Sequence, residues 1–341
     1  MKELSFFSKL VFIINTLVAL LLLLACLVPY INSGVFSFLS LTVPVLVVGN
    51  FLFLLYWLFF NRKYIWTSLF ALIIGYFALG SFVEFRFKNS KTLEDDISVL
   101  TFNSLGFNGL ENSEKRENGD KILAFIQTQD PDIVCFQEFD IRRAYSGDFD
   151  AYPYQFITKG GLKKDHVSQA ILSKFPIIQK NDLDFPESAN HAIYADLVIN
   201  KDTVSVYNLH LESLKVRPGM IKREPSNKLL KRLSYSFSKQ QEQARLIRAI
   251  ADANDNKKIV TGDFNNTQFS SAYRIIKGDM NDSFSEKGSG YGKTINFWHF
   301  PLRIDFILAD NDFEVLSHEN FKISLSDHEP VMATFKLSGD K

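Results

Sequence analysis

A chain of 341 residues is long enough for one large catalytic domain and something besides. Of its 38 basic and 38 acidic residues, six and two fall within residues 1–90, leaving 32 basic against 36 acidic in the remainder. That net negative remainder argues against a dedicated nucleic-acid binder, whose affinity comes from neutralising phosphates, and two cysteines, Cys26 and Cys135, exclude a disulfide framework.

The first ninety residues are almost free of charge in three runs, 6–28, 36–60 and 64–83. Each approaches the roughly twenty apolar residues that a helix needs to cross a bilayer, so three transmembrane helices are expected over residues 1–90. The first run is long, lacks a small-residue cleavage site and is followed by two more, which argues against a cleaved signal peptide. Lys2 precedes the first span, Lys9 lies near its start, and Arg62 and Lys63 fill the second loop, while the first loop is uncharged. By the positive-inside rule this predicts a cytoplasmic N-terminus and an extracytoplasmic catalytic domain, in a multi-pass protein suited to a bacterial plasma membrane. The lipid bilayer is thus an expected partner.

Beyond a charged linker at 84–96 the pattern changes to short apolar runs alternating with helical stretches, as an α/β domain over 91–341 requires. Strands are expected at 97–103, 132–136, 170–172, 198–199, 204–209, 258–261, 304–308 and 331–337. Helices are expected at 114–129, 237–251 and 270–276, the first with Ile122, Leu123, Phe125 and Ile126 on its apolar face. His166, His191, His299 and His318 match no motif and are expected at the surface or in a groove.

Chemistry concentrates just past these strands. Asp305 lies in the run Arg303–Leu308, and about twenty residues later comes Ser326-Asp327-His328-Glu329-Pro330. An Asp held on a strand can orient the imidazole of a His on a nearby loop, fix its tautomer and raise its basicity. Upstream, Thr261-Gly262-Asp263-Phe264-Asn265 places a further carboxylate and an amide beyond an apolar run. Together they read as an Asp–His general base among metal and phosphate ligands, which is phosphoester hydrolysis.

With these blocks the sequence resembles the endonuclease/exonuclease/phosphatase superfamily. The resemblance is carried, in order, by Val99–Asn103, Asp132–Glu138, Asn208–Leu211, Gly262–Asn265, Arg303–Leu308 and Ser326–Pro330. It implies a four-layered α/β sandwich of the deoxyribonuclease type and hydrolysis with Mg2+, or Mn2+. It also implies Glu138 as chief metal ligand, Asn103 on the same ion and Asp327 as a second metal-side carboxylate. His210 would stabilise charge on the phosphate, Asp263 would orient water, Asn265 would bind phosphate, and His328 on Asp305 would be the base. Arg303 and Trp298 are expected to touch substrate.

The segment 215–248 is rich in Lys and Arg, which suits an active-site entrance for a polyanion, a surface for anionic lipid headgroups, or a solvated insertion. Nucleic acid and phospholipid headgroups both remain open as phosphoester substrates, with phosphatase action beside them. A catalytically silent binding module would be expected to lack Glu138, Asp263 or His328, and all three are present.

Overall fold

A computed structural model describes residues 5–85, 96–108, 115–142, 147–158, 168–215, 225–297 and 300–337. The N-terminal part forms three antiparallel helices: α1 (Phe6–Ala25), α2 (Gly34–Phe60) and α3 (Ile65–Leu79). Their large apolar side chains point outward, with Phe59 and Phe77 each 81% exposed, while polar groups turn inward. Asn15 donates to Ser68 Oγ at 2.6 Å and accepts from Trp57 Nε1 at 2.9 Å, tying all three helices through one buried amide.

The stretches Phe6–Tyr30 and Gly34–Phe60 are long and apolar enough to span a membrane. The third run differs from its expected 64–83: the helix ends where Gly80 takes φ +85°, and 15 residues reach only about 22 Å at 1.5 Å per residue.

The C-terminal part is built from two six-stranded mixed sheets. The first has the order β13 (Phe313–Asn320), β14 (Val331–Leu337), β1 (Ile97–Asn103), β2 (Ile133–Gln137), β4 (Ala170–Ser173), β3 (Tyr154–Ile157). The second runs β5 (Ile177–Asp184), β6 (His191–Ile199), β7 (Asp202–His210), β8 (Lys257–Asp263), β12 (Asp305–Ala309), β9 (Asn281–Asp282). A separate ribbon pairs β10 (Ile295–Phe297) with β11 (Phe300–Leu302).

Period-two alternation sorts the side chains into layers. Val99, Ile133, Ile193, Val206, Ile259 and Val331 meet between the sheets. Leu100, Phe102, Val134 and Phe136 face outward onto Ile122 and Ile126 of α4 (Lys115–Gln129). On the other side Tyr207, Leu209, Val260 and Phe306 pack under α5 (Ser226–Asp252) and α6 (Ser271–Lys277). Helix, sheet, sheet, helix is the four-layered sandwich expected.

Buried polar side chains also bridge the greasy interface between the sheets. Gln137 Nε2 donates to Asn208 Oδ1 at 2.6 Å, and Asn208 Nδ2 donates to the Phe136 carbonyl at 2.8 Å. All three residues are fully buried.

The helical region is packed onto the sandwich rather than hanging from it. Ser40 donates to Asn266 Oδ1 (2.9 Å), Thr267 donates to the Ser40 carbonyl (3.0 Å), and Gln241 donates to Ser37 Oγ (3.1 Å). At Gly34 the absence of a side chain lets α2 approach α5 so closely that a Cβ would collide with the Ser234 carbonyl. Gly34→Leu is therefore expected to cost about 1–3 kcal/mol by overpacking. The control is Gly49→Ala, whose new methyl would meet a single side-chain methyl at 3.3 Å. Thermal unfolding of the full chain in detergent should show a lower midpoint for the first variant only.

Candidate active site

Strand register brings the site together. β7 and β8 pair in parallel with His210 opposite Asp263, and β8 and β12 pair antiparallel with Asp263 opposite Asp305. Three chemistry-bearing residues therefore stand in one row across adjacent strands, which are about 4.8 Å apart. The parallel approach of β7 and β8 depends on Gly262 at φ +126°, where a Cβ would strike the Leu209 backbone. The other sheet contributes Asn103 and Glu138 from the ends of β1 and β2, whose register sets Asn103 opposite Gln137.

His328 reaches the row from the loop before β14. Its Nδ1 lies 2.9 and 3.1 Å from the two carboxylate oxygens of Asp305, so Nε2 faces the pocket, 3.7 Å from Asp263 Oδ2. Burial opposes a charge on this ring, but Asp305 and Asp263 outweigh it and push its pKa up to about 10. His210 Nε2 stands 3.7 Å from Asp263 Oδ2 and 3.9 Å from Glu138 Oε1. Burial lowers the His210 pKa, and its buried Nδ1 has no partner among the described residues.

Asp263 is 1% exposed, and burial raises it to about 6 against the pull of His328 and His210. Glu138 sits at φ +51°, an uncommon backbone state for a non-glycine residue and one found at functional sites. Burial raises its pKa as well, with Asp327 adding to the rise and the Asn103 hydrogen bond opposing it. Asn103 Nδ2 donates to Asp263 Oδ2 at 3.0 Å and lies 3.4 Å from Glu138 Oε1, while its Oδ1 accepts from the Leu105 N–H. The amide nitrogen thus faces the carboxylates, and a metal-side role for its oxygen requires the amide turned over. Asn265, at φ +50°, donates its N–H to Asp263 Oδ1 and its Nδ2 to the Leu211 carbonyl.

These side chains enclose a pocket of about 180 Å³ lined by Asn103, Glu138, His210, Asp263, Asn265, Asp327 and His328. Its apolar wall includes Leu41 of α2 and Leu214. Asp263 is buried, Glu138 partly buried and Asp327 exposed at the mouth, and together they present hard oxygens to one pocket, which fits a divalent cation. Asp263, Asp305 and His328 also place ligand atoms within 4.8 Å of one another, but there both Asp305 oxygens are engaged by the imidazole.

Two expected substrate contacts stand apart. Trp298 lies outside the described residues. Arg303 is a correction: it is 3% exposed, its NH1 is 2.8 Å from Asp282 Oδ2, and its guanidinium lies over the Phe284 and Phe306 rings at 4.6 and 4.7 Å. Phe284 belongs to α7 (Ser283–Lys287). An arginine flanked by apolar strand residues reads as a ligand contact, yet β12 runs through the protein and carries its neighbour inward to a buried acid. His191 and His318 are likewise buried, not at the surface. Gln137, Asn208 and Ser326, which donates to the Asn103 carbonyl at 2.8 Å, are supports within the quoted motifs to which sequence reading gave no role. Leu41 had no signal at all.

Two packed mixed sheets with helices outside, and a carboxylate–histidine cluster at their shared rim, define an α/β hydrolase of phosphoester bonds with the deoxyribonuclease-like fold. The chain belongs to the endonuclease/exonuclease/phosphatase family, whose model matches residues 100–328. Members of this family generally use divalent metal ions. A domain of unknown function (DUF8431) matches residues 8–82. Among solved structures, the human nocturnin catalytic domain with bound sulfate anion is similar at 17% identity, covering 72% of this chain and 96% of that one, with TM-score 0.53. Sphingomyelinase C from Streptomyces griseocarneus is similar at 20% identity, over 70% and 99% of the two chains, with TM-score 0.50. A mannosyl-6-phosphatase from Bacteroides thetaiotaomicron shares 19% identity over 71% and 100%, with TM-score 0.52. Such identities show a shared fold. No curated protein matches the chain.

The Arg303 network gives two checks. Arg303→Met leaves the Asp282 carboxylate buried without its partner, and is expected to cost about 3–5 kcal/mol in urea unfolding. Nearby, His318 contacts Ser283 Oγ at 2.8 Å and Asn320 Oδ1 at 3.2 Å, and burial lowers its pKa to about 4 despite Asp282. The unfolded chain takes up this proton near pH 6.5, so the contribution is intact above that pH and is lost as pH falls towards 4. His318→Gln should flatten this part of the melting profile.

Proposed function

We propose that the chain is a membrane-anchored, Mg2+-dependent phosphodiester hydrolase, with residues 1–90 as anchor and 91–341 as catalytic domain. The observation that carries this reading is the Asp305–His328 pair, which presents a free Nε2 beside Asp263 inside a pocket rimmed by Glu138 and Asp327.

In this reading a water between His328 and Asp263 is activated as His328 Nε2 takes its proton, while Asp263 holds the remaining hydrogen and directs the oxygen at phosphorus. Asp305 fixes the Nδ1–H tautomer and balances the imidazolium that forms. His210 Nε2–H and the second Asn265 amide hydrogen donate to the non-bridging oxygens, where charge grows. Glu138 and Asp327, with Asp263 beside them, would hold a divalent cation, which would supply Lewis-acid polarisation of the phosphoryl oxygen. Mn2+ has the same hard-oxygen chemistry and is expected to substitute.

The far ends of the helices carry Arg62 and Lys63, whereas the ends of α1 and α3 and the start of α2 meet the sandwich. This supports a catalytic domain on the side of the membrane opposite the N-terminus. Nucleic acid remains a substrate class for such a site. A second reading, a phospholipid-headgroup phosphodiesterase, is favoured by Leu41: a residue of an apolar helix walls the pocket, so the pocket lies near the membrane surface.

The test uses the full chain in detergent with Mg2+, against RNA, plasmid DNA, a sugar phosphate and vesicles containing sphingomyelin or phosphatidylglycerol. Hydrolysis of one class is expected, with His328→Ala and Asp305→Asn slower by about 10²–10⁴ and 10–100-fold respectively. A chelator should abolish turnover and Mg2+ restore it. A folded protein silent on every substrate with either metal would replace the hydrolase with a binding module.

A further inference from the structure

A second cavity, of about 320 Å³, lies at the seam where the helical region meets the sandwich. Its apolar rim is the turn after α1, Pro29 and Tyr30, and the end of α3, Leu79 to Ser81. If the helices lie in a bilayer, this is the depth of the headgroups. The opposite wall comes from the sandwich: Arg274 and Lys277 on α6, with Arg303.

Among the described residues three cations line this cavity and no carboxylate does. Arg303 is neutralised through NH1 by Asp282, and its buried Nε has no hydrogen-bond partner among the described residues. Gln268, also in the wall, has an equally unpartnered buried Oε1. Arg274 is braced over the Tyr30 ring at 4.1 Å, which ties the sandwich to the end of α1 while leaving its N–H groups to donate. Lys277 has no ion pair among the described residues and is half-buried. Two cations at one opening, neither with an ion pair among the described residues, favour an anion with several acceptor oxygens.

We propose that this cavity binds a phosphate group at the membrane surface, that of a phospholipid headgroup or a free phosphate, at a site separate from the catalytic pocket. Arg274 and Lys277 bind the phosphate oxygens, and the acyl chains of a lipid would lie along Tyr30 and Leu79. The lipid source rests on the membrane reading above; the phosphate chemistry does not.

The experiment measures binding to the full chain in a phosphate-free neutral detergent with chelator present, so that no turnover occurs. The probes are dioctanoyl-phosphatidylglycerol, dioctanoylglycerol (which lacks the phosphate) and inorganic phosphate. Phosphatidylglycerol is expected to bind, and dioctanoylglycerol to bind at least about tenfold more weakly. Lys277→Gln and Arg274→Gln should each weaken the phosphatidylglycerol affinity about tenfold. Both side chains are partly or fully exposed, and the turnover of a soluble substrate should stay unchanged in both; the unliganded melting point should stay unchanged in Lys277→Gln and fall slightly in Arg274→Gln, which loses its contact with the Tyr30 ring. His328→Ala should bind as the parent does. Binding of inorganic phosphate as tight as that of the lipid, with the same sensitivity to Lys277→Gln, supports the site and assigns its source as soluble phosphate. Equal affinity for dioctanoylglycerol, or loss of binding in His328→Ala but not in Lys277→Gln, would overturn the site. A chain that stays soluble without detergent would remove the membrane reading and leave the phosphate arm standing.

Discussion

The buried contact between Gln137 and Asn208 is the constraint on which the catalytic arrangement depends. Two sheets that meet through Val, Ile and Ala alone gain the same apolar burial over a range of offsets. A directional hydrogen bond between fully buried amides does not tolerate such sliding, because each amide would lose its partner in a medium with no water to replace it. Gln137 immediately precedes Glu138, and Asn208 lies two residues before His210. The clasp therefore fixes, within a residue or two of the chemistry, how the end of one sheet faces the end of the other. Asn103 then spans the gap by reaching from the first sheet to Asp263 in the second.

Once the rims are fixed, the site gathers Glu138, Asp263, Asp305 and Asp327 around two histidines, His210 and His328. Asp263 and Glu138 are raised by burial, and His328 is raised by its carboxylate neighbours. A divalent cation at these carboxylates would stabilise their ionised forms and favour the neutral His328 imidazole, the form that accepts a proton.

Much of this was legible in the sequence because strands with one buried neighbour on each face write a continuous apolar run that ends at a polar residue. Strands β1 and β14 appear at their full expected extents, and Asn103, His210 and Asp263 stand where such runs end. What escaped detection has physical reasons. Strand β5, with Gln179, Lys180, Asn181 and Asp182, sits at a sheet edge and lacks the apolar signal. Helix α5 begins eleven residues before its expected start because its first turns are basic and largely exposed. Arg303 was misread because a charge beside a motif gives no sign of Asp282, twenty-one residues upstream. Side chains that meet only through tertiary packing, such as Leu41, leave no periodic trace.

That last residue changes what kind of object the N-terminal region is. A tether acts through length and flexibility, and can be cut or replaced without altering the chemistry it carries. Here Ser40 and Thr267 lock the helix to the sandwich one residue away from Leu41, and Leu41 is part of the wall that surrounds the reacting groups. A fragment that begins after the helices would be an enzyme with one side of its pocket missing. Its substrate preferences would belong to the fragment, and could mislead about the whole chain. A substitution at this point of α2 is therefore also an edit to the wall of the active site.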